Sequence, residues 1–281
     1  MKKMAVLLLL AACSAFAGTG IPGRGLKCPS LQDEYWDWEQ YSIERSSSCS
    51  ASDIATIWAF LERLDSSDDA VASIKNNLLD RLVELDPMPA DMGDRLLRLY
   101  REKEVDLRMR DFVLQHFAPY IKSISRDKTR KGNQAVQDMM AELQDAMWSG
   151  SGVLSGTALL AMESLASLEV GISMEDVGTF AVHLAKDEKR LAAVRATAMQ
   201  VATRLGRREI LAMARVAARS GQPLALRVSA ISCLGRLGEG SDLELLAGIQ
   251  DGDQEEFVKS AAEKAKGVFQ ARRTDDNTGI K

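Results

Sequence analysis

A reactive or metal-binding protein needs thiols, imidazoles or carboxylates at spacings that let them converge, and this chain offers few candidates. It carries four cysteines and two histidines in 281 residues. Cys233 lies inside "LALRVSAISCLGRLG", where a thiol could be a nucleophile, a metal ligand, half of a disulfide or core packing. His116 and His183 stand more than sixty positions apart, each inside a helical pattern; an imidazole there is ordinarily a helix-surface or partly buried group rather than a ligand. No H-E-x-x-H, G-x-S-x-G, P-loop or C-x-x-C spacing occurs. Carboxylates are plentiful, but no two stand out as an acid–base couple. The expectation is a non-enzymatic protein with no catalytic, cofactor-binding or metal-binding residues.

The cysteines speak to compartment. The opening "MKKMAVLLLLAACSAFAGTG" has a basic start at Lys2 and Lys3, a short apolar run from Ala5 to Ala12, and an A-x-A site at Ala15-Phe16-Ala17, which together predict an export signal covering residues 1–17. The run is too short to span a bilayer. A rival processing site overlaps it: Leu10-Ala11-Ala12-Cys13 resembles a bacterial lipobox, in which Cys13 would be lipidated. Cleavage after Ala17 is preferred; either route places the protein outside the cytoplasm, in the periplasm or cell envelope. Cys13 is then removed or lipidated, and once Cys233 is assigned to packing, Cys28 and Cys49 remain. An oxidising compartment predicts a disulfide between them.

Composition narrows the fold. Hydrophobic residues make up 46% and charged residues 27%, with six prolines and 5% aromatics, a balance that suits a folded, helix-rich protein. The formal charge of −4 argues against nucleic-acid binding, which depends on clustered positive charge. Contact with a membrane is expected only if Cys13 is lipidated.

Residues 18–52 lack a helical period and read as an irregular, disulfide-stapled segment. Gly18, Gly20 and Gly23 spell G-x-G-x-x-G, but without the strand-then-helix context that a dinucleotide site requires. Tyr35, Trp36, Trp38 and Tyr41, mixed with Asp33, Glu34, Asp37 and Glu39, could form a binding epitope; the preferred reading is an aromatic plug that caps the helical body. From Asp53 the pattern turns helical. "SDIATIWAFLERL" has Ser52 as its N-cap candidate, and the helices of 53–150 read as degenerate pairs ending at "SGSG", residues 149–152. The basic run "SRDKTRKGN" at 125–133 reads as a solvated loop, and residues 271–281 as a disordered tail.

The second half repeats. "AAVRATAMQVATRLG", "LALRVSAISCLGRLG" and "EEFVKSAAEKAKGVF" align at a period of 32 residues, matching Arg195, Arg227 and Lys259; Val194, Leu226 and Val258; and Ala198, Ala230 and Ala262. Gly206 and Gly238 follow the first helices and suit left-handed helix ends. Ser241 with Glu244 suggests a capping box, and Pro223 suits the opening of a helix. Small alanines let stacked helices approach while branched neighbours interlock. Cys233 falls at the position of Val201 and Ala265, so its role is that of a small hydrophobe.

The pattern Val/Leu-Arg-x-x-Ala…Leu-Gly followed by a second short amphipathic helix resembles the HEAT-repeat family, particularly its short phycocyanobilin-lyase-like form. The likeness covers about residues 153–270, with 154–186 as a weaker copy. The resemblance implies an all-α fold, an α-α superhelix of stacked antiparallel helix pairs, with a concave surface used for protein–protein contact and no shared chemistry. Arg195, Arg227 and Lys259 would form a ladder along the stack: a basic strip for an acidic partner or, as is usual in that family, pairs with loop carboxylates of adjacent repeats. The function expected is a scaffold in the bacterial cell envelope that binds a protein or peptide. The alternatives are a lipoprotein subunit of an envelope assembly and a lyase or isomerase acting on a chromophore.

Overall fold

The computed structural model describes residues 27–43, 49–63, 68–126, 133–149, 151–168, 171–252 and 255–278. Among them every regular element is a helix, so the all-α class expected from composition and period holds. The chain divides into two compact units, Met1–Met88 and Pro89–Lys281. The division falls at a proline-bounded turn and not at the "SGSG" break, because what separates units is where the packing stops.

The first unit contains α1 (Tyr35–Ile43), α2 (Ala51–Leu61) and α3 (Asp69–Glu84). Helix α1 corrects the expectation of an irregular segment: its apolar anchors are aromatic and spaced by three, so that Trp38 and Tyr41 turn inward beside Ser42 while Trp36 stays outside. The Trp38 ring stacks on Phe60 of α2 with centroids 4.2 Å apart. The aromatic cluster is thus part core and part surface. Helix α2 begins two residues earlier than the sequence suggests. Ser50, not Ser52, is the N-cap, and it forms a reciprocal capping box with Asp53.

The second unit runs through α4 (Met92–Arg101), α5 (Leu107–Arg126), α6 (Gln134–Ser149), α7 (Leu154–Ala166), α8 (Met174–Lys186), α9 (Ala192–Arg204), a 3-10 turn at Arg208–Ile210, α10 (Leu211–Ala217), α11 (Leu224–Leu237), α12 (Gly240–Gly252) and α13 (Glu256–Thr278). Helices α7, α9, α11 and α13 stack in chain order, and α8, α10 and α12 each pack on the helix that follows. This is a solenoid-like arrangement. The final helix continues through Thr278, so much of the expected disordered tail is helical.

The 32-residue period maps onto burial. Val194, Leu226 and Val258 are buried, as are Ala198, Ala230 and Ala262, and Val201, Cys233 and Ala265. Close approach goes further than alanine at one point: a Cβ at Gly235 of α11 would lie 2.7 Å from the Ala265 carbonyl oxygen and 2.8 Å from its Cα. The helix ends differ from expectation in detail. Gly206 takes the left-handed conformation at φ 70, but Gly238 is extended at φ −60, ψ 170. Capping at the next helix comes from Asp242, whose carboxylate accepts the Glu239 N–H at 2.7 Å, rather than from Ser241. Pro223 opens α11 as expected.

Candidate functional site

The ladder residues are held by their own stack. Arg195 donates from Nε to the Ala185 carbonyl at the end of α8, at 3.0 Å. Arg227 is buried, and its guanidinium reaches Glu255 at 3.1 Å, just before α13. Lys259 is half-buried and pairs with Glu256 at 2.8 Å. Arg195 and Arg227 reach across junctions between helices, whereas Lys259 pairs within α13. A second set of ion pairs, not anticipated from the sequence, links one pair of helices to the next: Arg204 with Glu163 at 2.5 Å, Arg207 with Glu175 at 2.5 Å, and Arg208 with Glu239 at 3.1 Å. The most enclosed member is Asp242, buried, with Arg215 Nε 2.7 Å away. Burial pushes the Asp242 carboxyl up, but hydrogen bonds from Arg215 and the Glu239 N–H outweigh it and hold the group below its ordinary range. A signal for this was present: an aspartate three residues after the start of a turn is the reach-back half of a capping box.

Cys233 is fully buried, and burial pushes its thiol up, which suits packing and disfavours the thiolate. Cys28 and Cys49, the pair expected to form a disulfide, lie in the first unit. They are free thiols in the structure, with Cys49 Sγ 3.7 Å from the Tyr41 hydroxyl and Cys28 Sγ set against the Pro29 and Asp53 carbonyls at 3.6 and 3.9 Å. Burial, then the Tyr41 contact in opposition, leaves Cys28 raised, while burial and the Cys49 contact push the Tyr41 hydroxyl up. Behind this tyrosine the first unit hides two cations. Arg81 lies 4.0 Å over the Tyr41 ring and donates to the Tyr41 carbonyl at 2.7 Å. Lys75 caps the Arg63 carbonyl and faces Phe60.

The histidines lie apart. His116 is buried on α5, with Nδ1 2.7 Å from the Phe112 carbonyl. His183 is exposed on α8 and belongs to an aromatic patch: Trp148 of α6 is 50% exposed, edge-on to Phe180 with centroids 4.8 Å apart and 5.5 Å from the His183 ring. Asp111, whose carboxyl is raised by burial against hydrogen bonds from Thr157 and Gln115, ties α5 to α7 through the Thr157 hydroxyl at 2.5 Å. Among the described residues no group of three or more His, Cys, Asp or Glu side chains is placed to hold a metal ion. Among them, too, no helix is long and apolar enough to cross a membrane. The leader, Cys13, and residues 127–132 of the basic run lie outside the described residues. The buried cations Lys75, Arg81 and Arg227 are engaged internally, and Trp148 with Phe180 and His183 forms a partly exposed aromatic cluster. No family model, curated protein or solved structure matches the chain.

Proposed function

We propose that this chain is a non-enzymatic interaction scaffold of the bacterial cell envelope, a HEAT-like solenoid that binds a protein or peptide on its surface. The observation that carries the reading is the Trp148–Phe180–His183 patch, a half-exposed aromatic cluster on a stack in which Arg204 and Arg207 are committed to inter-helix pairing. Exposed aromatic anchors are characteristic of protein interfaces. Crosslinking and pull-down from native envelopes tests it. A partner retained by the wild-type chain and by Arg227→Met, but lost with Trp148→Ser, supports the scaffold reading. Loss with Arg227→Met at unchanged stability points to the basic strip instead, and a chromophore co-purifying with the chain would replace the scaffold by the lyase reading.

The envelope location rests on the leader motif. Mass spectrometry of the mature N-terminus distinguishes cleavage after Ala17 from lipidation at Cys13, the mark of the alternative in which the chain is a lipoprotein subunit of an envelope assembly. Export also has a covalent consequence. Oxidation would join Cys28 to Cys49 and contribute roughly 3 kcal/mol by constraining the unfolded chain. One free thiol in the denatured, unreduced mature protein agrees with export; three contradict it.

A further inference from the structure

The groove between α11 and α13 differs from its counterpart one period earlier. Between α9 and α11 the equivalent surface is closed by a polar contact, Gln200 donating to the Ser229 hydroxyl at 3.0 Å. One period on, Ala261 stands where Ser229 stood, Phe257 replaces Ala225, and Val268 replaces Arg236. The result is a slot of about 290 Å³ floored by Val228 and Ala261 and flanked by Phe257 and Val268. Phe257 is 61% exposed. Phe257, Ala261, Lys264 and Val268 follow the four-three-four spacing of a seam meant for another helix. Two cations edge the slot, Arg236 and Lys264, and among the described residues neither enters an ion pair. Arg272 adds positive charge at one end, donating to the backbone carbonyls of Arg236 and Gly238 and lying over the Phe269 ring.

The complement to this slot is on the same polypeptide. Helix α1 presents Trp36, 63% exposed, and Ile43, 59% exposed. They are seven residues apart, two turns of helix or about 10 Å, on one side of the helix. Glu34, just before the helix, and Asp37 and Glu39 on it are exposed and, among the described residues, in no ion pair. One surface is apolar with a basic rim; the other is apolar with an acidic rim. Buried anchors within a charged, complementary border are the composition of a specific helix-in-groove contact.

We propose that α1 of one copy docks in the α11–α13 groove of a second copy, so that the chain self-associates head to tail. Because the two surfaces are different, the contact is heterologous and propagates to a ring or a filament. The inference concerns the purified chain alone and does not depend on the partner reading.

The test is sedimentation of the purified full chain over a wide concentration range. The mean mass rises with concentration and falls back as salt is raised, because the rims are exposed charges. Trp36→Glu and Phe257→Glu each weaken association at least about tenfold, while both variants keep wild-type helicity and melting, since each side chain is more than half exposed. The decisive arm is the mixture. Trp36→Glu retains a working groove and Phe257→Glu a working α1, so the two together form a one-to-one heterodimer and nothing larger. A wild-type chain that stays monomeric at every concentration overturns the proposal. So does a mixture that associates no better than either variant alone, or a Trp36→Glu chain that assembles like wild type.

Discussion

The two units solve the same packing problem with opposite materials. The first is built around large, singular side chains: Trp38 on Phe60, Tyr41 under Arg81, Lys75 facing Phe60. The second stacks its helices through small ones, Ala198, Ala230 and Ala262 at one repeated depth and Gly235 against the Ala265 backbone. A core of large residues is vulnerable to lost volume, because neighbours collapse only partly into the hole. A core of small residues is vulnerable to added volume, because helix backbones already touch and must move apart. The difference teaches where each half can be broken and in which direction.

The largest effect is expected from Ala230→Glu, which puts both volume and an unpaired charge into the packed face of α11, between α9 and α13 in the stack. A loss of about 4 kcal/mol or more follows, visible in far-ultraviolet dichroism as loss of helix; unchanged melting would mean that the repeat alignment is wrong. Trp38→Ala probes the other half. Its removal costs about 3–5 kcal/mol by denaturant titration, and a cost under about 1 kcal/mol would show that the aromatic cluster is not the core of the first unit.

Gly235→Ala sharpens the contrast with a single methyl. It destabilises by about 1–3 kcal/mol although alanine is the better helix former, and a stabilised variant would contradict the close approach. The smallest effect is electrostatic. The folded-state pKa of Asp242 lies below its unfolded value near 3.8, so its stabilisation is present at neutral pH and is lost as pH falls through the depressed folded-state value. Asp242→Asn should flatten that acid limb of the stability profile; an unchanged limb would assign it to other carboxylates.

How much of this was legible in the residues also divides by region. Self-similarity at a fixed period revealed the stack and the burial of Cys233, because equivalent positions in a repeat meet equivalent neighbours. It could not reveal Gly238, which is extended rather than left-handed and where a Cβ would run into the Leu234 carbonyl oxygen and the Asp242 side chain. Nor could it find Arg215 with Asp242, since their contact joins positions 27 residues apart, on different helices. Helix α1 was readable in principle from Tyr35, Trp38 and Tyr41 at intervals of three, but the aromatic and acidic mixture hid the apolar face. The contact of the Tyr41 hydroxyl with Cys49 was not readable at all, because pairing by elimination says nothing about a thiol's other neighbours.

The central claim is that the C-terminal half is a stack with a 32-residue period. Excising residues 223–254, one full period comprising α11 and α12, tests it most directly. The deletion joins α10 to α13 and lets α13 pack on α9 as α11 did, with Lys259 taking the place of Arg227 and Ala262 that of Ala230. The account predicts a shorter protein that remains helical and unfolds in a cooperative transition, whereas removing half that length leaves the second unit unfolded. If the full-period deletion melts no more cooperatively than the half-period one, the stack described here is not the principle that holds the chain together.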